Sequence, residues 1–525
     1  MQLVMGTGGM VAAAHPLAAE AGLAVLRAGG NAVDAAITTN AVLNVTQPDM
    51  CGIGGDFFAL IHVPGGETVF LNGSGRAPAA ASPEAFAERC LQTIPLRGLL
   101  PVTVPGCVDA WDAARQRFGT WGWEDLLVPA IRYAREGFPV SARLAAAIEK
   151  AVDLLTEHPA TARIYFQRGR APRPGELLVQ RDLGESLQAI ANGGRDVFYQ
   201  GALAAALSAY CQQGEGLLTI HDLQNHRSQW GQPVETEYRG YRILQTPPNT
   251  QGVAVLLLFN LMAEFDLAGR DPADPERVHW MVEATRIALA ERNRYLTDPD
   301  FVPVPDMTGK DYADRLRRRI TEMAAKSKTV PCEPGDTTYF AVVDEQGMVV
   351  SGIQSIFQPW GCGQVVPGTG IFLQNRGSYF SLQPQHVNVL QPGKRTAHTL
   401  CASLIMHHDE PFLVFGTMGG DGQAQTHLQV ISNVLDGGMD IQEAISAPRW
   451  FHGRRDFGLG PEGLWLEGRF PSALVTALQA RGHQVGVVED YSEMMGHAQG
   501  IMIKPPGGTR FGAADPRGDG YVAAY

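Results

Sequence analysis

The C-terminal third of the chain alternates short apolar runs with polar turns. Residues 339–343 and 348–353 flank one such turn, and residues 403–407 and 412–415 flank another. Apolar runs of this length that are separated by turn residues are typical of β-hairpins. We therefore predict two hairpins in this region.

Helical spacing of apolar positions is frequent elsewhere. The predicted helices cover residues 17–44, where a glycine pair at 29–30 divides two of them, much of 108–230, then 278–289, 424–435 and 471–480. A strand at 57–62 and a hairpin at 235–244 interrupt this helical pattern. Paired strands that alternate with helices predict an α+β fold of stacked sheets covered by helices on both sides.

The polar segment 326–335 separates the helix-rich part from the strand-rich part. It has no apolar periodicity and contains two prolines and a glycine, so we predict an exposed connection. It leads directly into Asp336 and Thr337, where a buried strand is predicted to begin. Asp and Thr often satisfy backbone donors at the ends of strands. Taken alone, this local pattern favours a simple strand cap.

Length and composition narrow the class of protein. At 525 residues the chain exceeds the size at which one hydrophobic core stops growing, so we expect two domains or one large layered domain. The 54 acidic residues outnumber the 42 basic ones, which argues against a nucleic-acid partner, because phosphate binding needs clustered lysines and arginines. The chain has no run of eighteen apolar residues, so no membrane span is predicted.

Cysteine spacing and the N-terminal residues predict a cytoplasmic protein without metal or cofactor. The seven cysteines are scattered and never spaced as C-x-x-C, which fits a reducing compartment and argues against zinc-ribbon sites. Residues 1–19 contain no Lys or Arg and so lack the charged start of a secretory signal. The run His407-His408-Asp409-Glu410 lies at a predicted hairpin tip without the spacing of helical zinc ligands, so we interpret it as a solvated turn.

Several motifs follow one another along almost the whole chain. They are residues 8–12 (GGMVA), 29–36 (GGNAVDAA), 54–58 (GGDFF), 76–78 (RAP), 295–302 (YLTDPDFV), 335–344 (GDTTYFAVVD), 394–395 (KR), 416–420 (GTMGG) and 514–517 (ADPR). In this order the chain resembles the gamma-glutamyltransferase (gamma-glutamyltranspeptidase) family of self-processing N-terminal-nucleophile hydrolases. The runs 373–377 (LQNRG) and 418–422 (MGGDG) resemble its acylase and amidohydrolase branch, which includes cephalosporin acylases and the oxamate amidohydrolase of purine degradation.

The resemblance implies a four-layer αββα sandwich and a maturation step. Family members are made as one chain that is cleaved before a threonine, which here gives a cut between Asp336 and Thr337. The large fragment, 1–336, is expected to be helix-rich and to contribute outer layers and part of the sheets. The small fragment, 337–525, carries the nucleophile at its N-terminus. The two fragments are expected to stay together as a heterodimer, and a dimer of such heterodimers is left open.

The residues make this chemistry coherent. A threonine hydroxyl is a weak nucleophile at its own pKa, whereas a free N-terminal amine is a base poised near neutral pH, so Thr337 can supply both groups after cleavage. Self-cleavage would begin when Thr337 Oγ attacks the Asp336 carbonyl. The resemblance assigns Gly419 and Gly420 to the oxyanion hole, although a tight turn is the simpler interpretation of a glycine pair. It also assigns Ser355 as the hydroxyl that contacts the catalytic threonine.

The substrate-binding positions differ from those of the family's transferases. In transferases the α-carboxylate is held by an arginine two residues upstream of Arg76, where this chain has serine, and by two serines, which are replaced here by His398 and Thr399. The positions that hold the substrate's ammonium group in transferases align with Phe357, Arg376 and Tyr379, which leaves no acidic partner for it. Arginine donates to carboxylates in a bidentate fork and repels cations.

These differences predict a small anionic amide as the substrate. Arg76 and Arg376 are predicted to hold its carboxylate, His398 and Thr399 to donate further hydrogen bonds, and the aromatic rings of Phe357, Trp360 and Tyr379 to narrow the pocket. The alternative for each arginine is a structural pair with a local Asp or Glu. Our best hypothesis is hydrolysis of oxamate to oxalate and ammonia. The alternatives are a gamma-glutamyl transferase or glutathione hydrolase, a glutaryl or cephalosporin acylase, and a binding protein that never matures.

Overall fold

The computed structural model describes residues 2–325, 335–453, 463–504 and 508–525. The strands within these ranges are β1 (Val4–Gly6), β2 (Met10–Ala13), β3 (Asp56–His62), β4 (Thr68–Gly73), β5 (Phe138–Pro139), β6 (Leu177–Leu178), β7 (Gln229–Gly231), β8 (Val234–Tyr238), β9 (Tyr241–Gln245), β10 (Asp336–Val343), β11 (Val349–Phe357), β12 (Val365–Val366), β13 (Ile371–Phe372), β14 (Ala402–His407), β15 (Glu410–Thr417), β16 (Trp450–His452), β17 (Gly463–Glu467), β18 (Gln484–Val488), β19 (Ala498–Lys504), β20 (Thr509–Ala514) and β21 (Tyr521–Ala524).

The helices in the same ranges are mostly short. They are α1 (Pro16–Arg27), α2 (Ala32–Thr46), α3 (Pro83–Ala87), α4 (Cys107–Phe118), α5 (Trp123–Leu126), α6 (Val128–Glu136), α7 (Ala142–Lys150), α8 (Val152–Thr156), α9 (Pro159–Tyr165), α10 (Arg181–Gly193), α11 (Arg195–Tyr199), α12 (Ala202–Gln213), α13 (Ile220–Asn225), α14 (Gly252–Met262), α15 (Pro275–Tyr295), α16 (Lys310–Arg317), α17 (Gln423–Leu435), α18 (Ile441–Ser446) and α19 (Ser472–Ala480), with 3₁₀ turns at Arg376–Tyr379, Gly420–Gly422 and Glu493–Met495.

Two large sheets form the centre of the molecule. Among the described residues, one sheet has the strand order β21-β2-β10-β11-β3-β4-β7 and the other has the order β1-β20-β19-β15-β14-β9-β8. The sheets pack face to face through an apolar cluster that draws on both, and helices cover the two outer faces, α1 and α2 on the first sheet and α14 and α17 on the second. The predicted four-layer αββα sandwich is therefore confirmed.

Strand β10 explains why the sequence after residue 337 is so continuously apolar. Phe340 and Val342 pack under helix α2, whereas Tyr339, Ala341 and Val343 face the second sheet. Both faces of the strand are thus buried, and strands in that position carry apolar side chains on each side rather than alternating with polar ones.

The glycine pair near the N-terminus does divide two helices. Helix α1 ends at Arg27, and Gly29 adopts a φ of +93°, a left-handed conformation that favours glycine. Helix α2 then begins with a capping box, in which the Asn31 side chain accepts from the backbone N–H of Asp34 and the Asp34 side chain accepts from that of Asn31. The GGNAVDAA motif is accordingly a helix stop followed by a helix start.

Strands from before and after residue 337 are mixed in both sheets. In the first sheet, β10 lies between β2 and β11, and β11 lies against β3. In the second sheet, β14 pairs with β9, while β20 pairs with β1. The described part of the chain contains no helix that combines the length and apolar character needed to cross a membrane.

Candidate active site

Thr337 is buried at the head of a central strand. It is the second residue of β10 and only 1% of its surface is exposed. The strand pairing is irregular at this point, because Asp336 lies opposite Phe357 while Thr338 lies opposite Gln354. Bulges of this kind are frequent next to active sites, where they re-aim a side chain. The peptide bond that we expect to be cut therefore lies where the ladder is interrupted.

Ser355 contacts the carbonyl of that peptide bond. Its Oγ donates to the Asp336 carbonyl oxygen over 2.6 Å. The same Oγ accepts hydrogen bonds from the Phe357 backbone N–H at 2.7 Å and from Arg376 Nη2 at 3.2 Å. The hydroxyl that was predicted to lie near the nucleophile is thus bonded to the residue just before it.

Gly420 of the glycine pair lies against the chain just before Asp336. Gly419 and Gly420 follow β15 with φ angles of +131° and +55°, which glycine adopts without the steric cost other residues meet. A Cβ atom on Gly335 would lie 3.2 Å from Gly420 Cα, so the chain leading to the cut site packs against Gly420. The turn thus requires glycine for its own backbone and also lies within contact distance of the cut site.

Arg376 lies at the centre of the predicted substrate pocket. Its Nη1 donates to Thr399 Oγ1 at 3.3 Å, and its guanidinium lies 4.1 Å from the centre of the Phe357 ring. The Tyr379 ring packs edge-on against Phe357 with centroids 5.5 Å apart. Phe357 itself has a φ of +79°, a strained conformation for a bulky residue that is found mainly at functional sites. The Trp360 ring, which was predicted to narrow the pocket together with them, packs on Tyr165.

The Arg376 guanidinium is completely buried without a matching carboxylate. Within the described ranges it forms no ion pair, and its Nε has no hydrogen-bond partner. Burial lowers the pKa of Arg376 to about 10, against the opposing influence of Asp56, Tyr379 and Asp421. A buried charge without a partner is costly, and such groups are found where a ligand completes them.

Arg76 occupies a different environment. Its Nη2 pairs with Asp300 at 2.9 Å, its Nη1 pairs with Asp298 at 3.4 Å and also donates to the Gly393 carbonyl at 3.0 Å. Its side chain is 31% exposed. In the part of the chain that is described, none of its hydrogen bonds reaches the residues around Thr337.

His398 is held by protein groups on both ring nitrogens. The Leu400 backbone N–H donates to Nδ1 at 3.3 Å, so Nε2 carries the proton and donates to Asp56 Oδ2 at 3.0 Å. Burial, with the charge of Arg376, lowers the pKa of His398 to about 4. His398 is therefore neutral at physiological pH, and it positions the backbone next to Thr399.

A polar network behind the glycine turn was not expected from the sequence. Asp421 Oδ1 accepts from Tyr379 Oη and from Arg292 Nη1, both at 2.7 Å. Arg292 Nη1 also donates to Gln251 Oε1 at 2.6 Å, and Gln251 Nε2 donates to the Gly420 carbonyl at 3.1 Å. The prediction that no acidic partner remains for a substrate ammonium stays a prediction, although one acidic side chain is present behind the glycine turn. Asp421 lies there, but the Arg292 guanidinium balances its charge.

Gln423 is a further residue that the sequence analysis missed. Its Oε1 accepts from the Cys401 backbone N–H at 3.0 Å, which orients the amide so that Nε2 faces Thr337 Oγ1 at 3.5 Å. Asp421 and Gln423 lie one and three residues after the glycine pair in the sequence. Their location close to the glycine pair was the signal in the sequence that could have identified them. Gln251 and Arg292 come from distant helical segments, so no such signal existed for them.

The fold and this site together define a class of protein. A four-layer αββα sandwich with a buried threonine at the head of an inner strand, next to a hydroxyl donor and a glycine turn, is characteristic of N-terminal-nucleophile hydrolases. Residues 18–525 match the sequence profile of the gamma-glutamyltranspeptidase family. The chain belongs to this family.

Relatives of similar length extend over nearly the whole chain. The glutathione hydrolase-like YwrD proenzyme of Bacillus subtilis is 42% identical over 98% of both chains, and the oxamate amidohydrolase proenzyme of Klebsiella pneumoniae is 38% identical over 99% of both. Among solved structures, a cephalosporin acylase from Bacillus halodurans superposes with a TM-score of 0.94 at 38% identity, covering 100% of this chain and 97% of the other. The protein is accordingly a hydrolase of amide bonds that is made as a self-cleaving proenzyme.

Proposed function

We propose that the chain cuts itself between Asp336 and Thr337 and then hydrolyses a small amide that carries a carboxylate, with oxamate as the first candidate. The observation that carries this proposal is the buried Arg376 guanidinium. It is bonded to neutral oxygens of Ser355 and Thr399 and has no carboxylate partner among the described residues. A substrate carboxylate would supply the missing counter-charge and accept from Nε as well.

The geometry favours a carboxylate very close to the reacting carbon. Only the Ser355 hydroxyl separates Arg376 from the Asp336 carbonyl, which stands where the substrate's carbonyl would be attacked. In oxamate the carboxylate is directly attached to the amide carbon, so both groups fit this spacing. A glutaryl or gamma-glutamyl substrate carries its charged groups several bonds farther away.

The charge balance also favours a substrate without an ammonium group. Asp421 is the acidic side chain nearest to Tyr379 and Gly420, but it already binds Arg292 and Tyr379. The buried cation Arg376 would repel a neighbouring ammonium. Because one relative is glutathione hydrolase-like, glutathione is the substrate with which oxamate should be compared.

The proposed reaction uses Thr337 twice. In the mature enzyme its α-amine takes the proton from Oγ, and Oγ attacks the amide carbon of the substrate. The oxyanion is stabilised by backbone N–H groups at Gly419 and Gly420, and the amine returns the proton to the leaving ammonia. Water then attacks the acyl-threonine ester, which releases oxalate and restores the hydroxyl. No cofactor is part of this proposal.

The test combines intact mass with two activity assays on the wild type and Thr337→Ala. We expect the wild type to give two fragments that divide at Asp336–Thr337 and to release ammonia from oxamate, and the variant to stay uncut and inactive. Oxamide, which has the same amide without the carboxylate, is the matched control and should react far more slowly. Glutathione hydrolysis in place of oxamate hydrolysis would reassign the substrate, and an uncut wild-type chain would refute the mechanism.

A further inference from the structure

The Ser355 hydroxyl has a fully determined hydrogen-bond direction. A hydroxyl offers one proton and two lone pairs. The Phe357 backbone N–H and the Arg376 guanidinium can only donate, and together they occupy both lone pairs, at 2.7 Å and 3.2 Å. The single proton is therefore left for the Asp336 carbonyl oxygen, 2.6 Å away. The hydroxyl has no alternative arrangement that satisfies all three neighbours.

This arrangement connects a full positive charge to the carbonyl at the expected cut. Arg376 polarises the Ser355 O–H, and the polarised O–H is a stronger donor to the carbonyl. Arg376 and Ser355 both have 0% exposure, so water does not screen the effect. Arg376 is itself fixed by Thr399 Oγ1 and by the face of the Phe357 ring.

We propose that Arg376 acts before maturation as a positioning residue for self-cleavage, by holding Ser355 so that its hydroxyl activates the Asp336 carbonyl. The proposal rests on the cut between Asp336 and Thr337. It gives Arg376 two successive tasks, first in the uncut chain and then with the substrate carboxylate. It also means that loss of activity in an Arg376 variant need not report on substrate binding at all.

The chemical step balances without any further reactant except water. Thr337 Oγ bonds to the Asp336 carbonyl carbon, and the negative charge that develops on the carbonyl oxygen is stabilised by the Ser355 O–H. The proton of the Thr337 hydroxyl passes to the Thr337 nitrogen, and the C–N bond breaks to leave an ester and a free amine. Water then adds to the ester, which yields the C-terminal α-carboxylate of Asp336 and restores the Thr337 hydroxyl.

Before the cut, Thr337 has no free amine to act as its base. The contact described for its Oγ is with Gln423 Nε2, an amide donor that can orient the oxygen but cannot accept its proton. Among these contacts, the one that promotes the attack of Thr337 Oγ on the Asp336 carbonyl is therefore its activation by Ser355 and Arg376.

The experiment follows the cleavage rate of freshly synthesised full-length chains by denaturing electrophoresis and intact mass. The variants are Arg376→Met, Arg376→Lys, Ser355→Ala and the double variant Arg376→Met/Ser355→Ala. We expect Arg376→Met to slow cleavage about tenfold to a hundredfold, as for the loss of a hydrogen bond from a charged donor. Arg376→Lys should recover part of the rate, because an ammonium can still donate to Ser355.

The double variant separates a task performed through Ser355 from a general effect on the fold. If Arg376 acts through Ser355, adding Arg376→Met to Ser355→Ala should slow cleavage by less than about twofold further, because interacting residues are not additive. Effects that multiply would overturn the proposal, and so would an Arg376→Met chain that is cut at the wild-type rate.

Arg277→Met is the matched control. It removes another buried guanidinium, which lies on α15, is 1% exposed and is bonded to Asn433 on α17. The cleavage rate should stay within about twofold of wild type. Thermal unfolding of each uncut chain checks that it is folded. The Lys variant keeps the test decisive if the Met variant does not fold. A wild type that is cut at Asp336–Thr337, with Arg376 variants cut equally fast, would leave the proposed function standing and refute only this inference.

Discussion

Two arginines were predicted for the same task, and the structure places them in opposite surroundings. Arg376 is buried with neutral oxygens around it and no carboxylate among the described residues. Arg76 is partly exposed and paired with Asp298 and Asp300. The comparison teaches that a side chain's charge is less informative than whether that charge is already balanced. Of these two arginines, the one whose charge the protein leaves without a carboxylate is the one that we propose to bind the substrate.

The strongest test of this comparison changes the charge of the substrate. Arg376→Lys, assayed after full cleavage and normalised to the cut fraction, should lower kcat/KM for oxamate by about a hundredfold, because a planar two-point contact with the carboxylate is lost. The rate on oxamide should change by less than about fivefold. An equal loss on both substrates would mean that Arg376 supports the site without binding the carboxylate.

A second test asks whether a buried carboxyl group without an ion pair also differs from a paired one. Asp49 is buried without an ion pair in the described residues, and burial, with the nearby charge of Asp336, raises its pKa to about 7. Its stabilising contribution is full below about pH 4 and is lost as the pH rises through about 7, because the folded chain holds a proton that the unfolded chain releases. The chain should therefore be less stable at pH 8 than at pH 5 on account of this group.

Asp49→Asn should remove that dependence. Measured in the uncut Thr337→Ala background, the Tm difference between pH 5 and pH 8 should shrink by about 3 °C. Asp298, which is paired with Arg76, is the contrasting carboxylate. An unchanged pH profile in Asp49→Asn would show that Asp49 is ionised in the folded chain.

The smallest effect is expected for Arg76, whose charge is balanced by Asp298 and Asp300. Arg76→Met removes a partly exposed ion pair, and such pairs contribute only about 1 kcal/mol or less. The Tm should fall by about 1 to 2 °C, and kcat/KM for oxamate should stay within about threefold of wild type. A loss as large as that of the Arg376 variant would restore Arg76 to the carboxylate-binding role predicted from the sequence.

Local patterns predicted the three hairpins and several helices of the fold, but they could not predict which distant strands pair. The hairpin of β8 and β9 was predictable because Arg239 and Gly240 supply the two positive φ angles, +52° and +83°, that a tight two-residue turn requires. The position of β2 between β10 and β21 was not, since it brings Met10 opposite Ala524 from the other end of the chain. No local signal records such a partner.

The features of the site also divide into those that the sequence predicted and those that required the structure. Thr337 and the glycine pair were identified because they lie within motifs of the family, and Ser355 because it falls where the family places a hydroxyl. In the structure Ser355 bonds to the Asp336 carbonyl, and Gly420 packs against the neighbouring Gly335. The partners of Arg76 come from a loop more than two hundred residues away, so its neutralisation could not be read from the sequence. The direction of the Ser355 hydroxyl depends on Arg376, twenty-one residues further along the chain, and required the structure.

Because each sheet mixes strands from before and after residue 337, cleavage changes how the protein can refold. A cut before Thr337 leaves the chain ends free, but β10 still pairs with β2 and β11 still pairs with β3 across the two pieces. Neither piece can leave without opening both sheets. An uncut chain folds at a rate independent of its concentration, whereas two separated pieces must first collide. Once cut and then unfolded, the enzyme would regain its structure only as fast as its halves could meet.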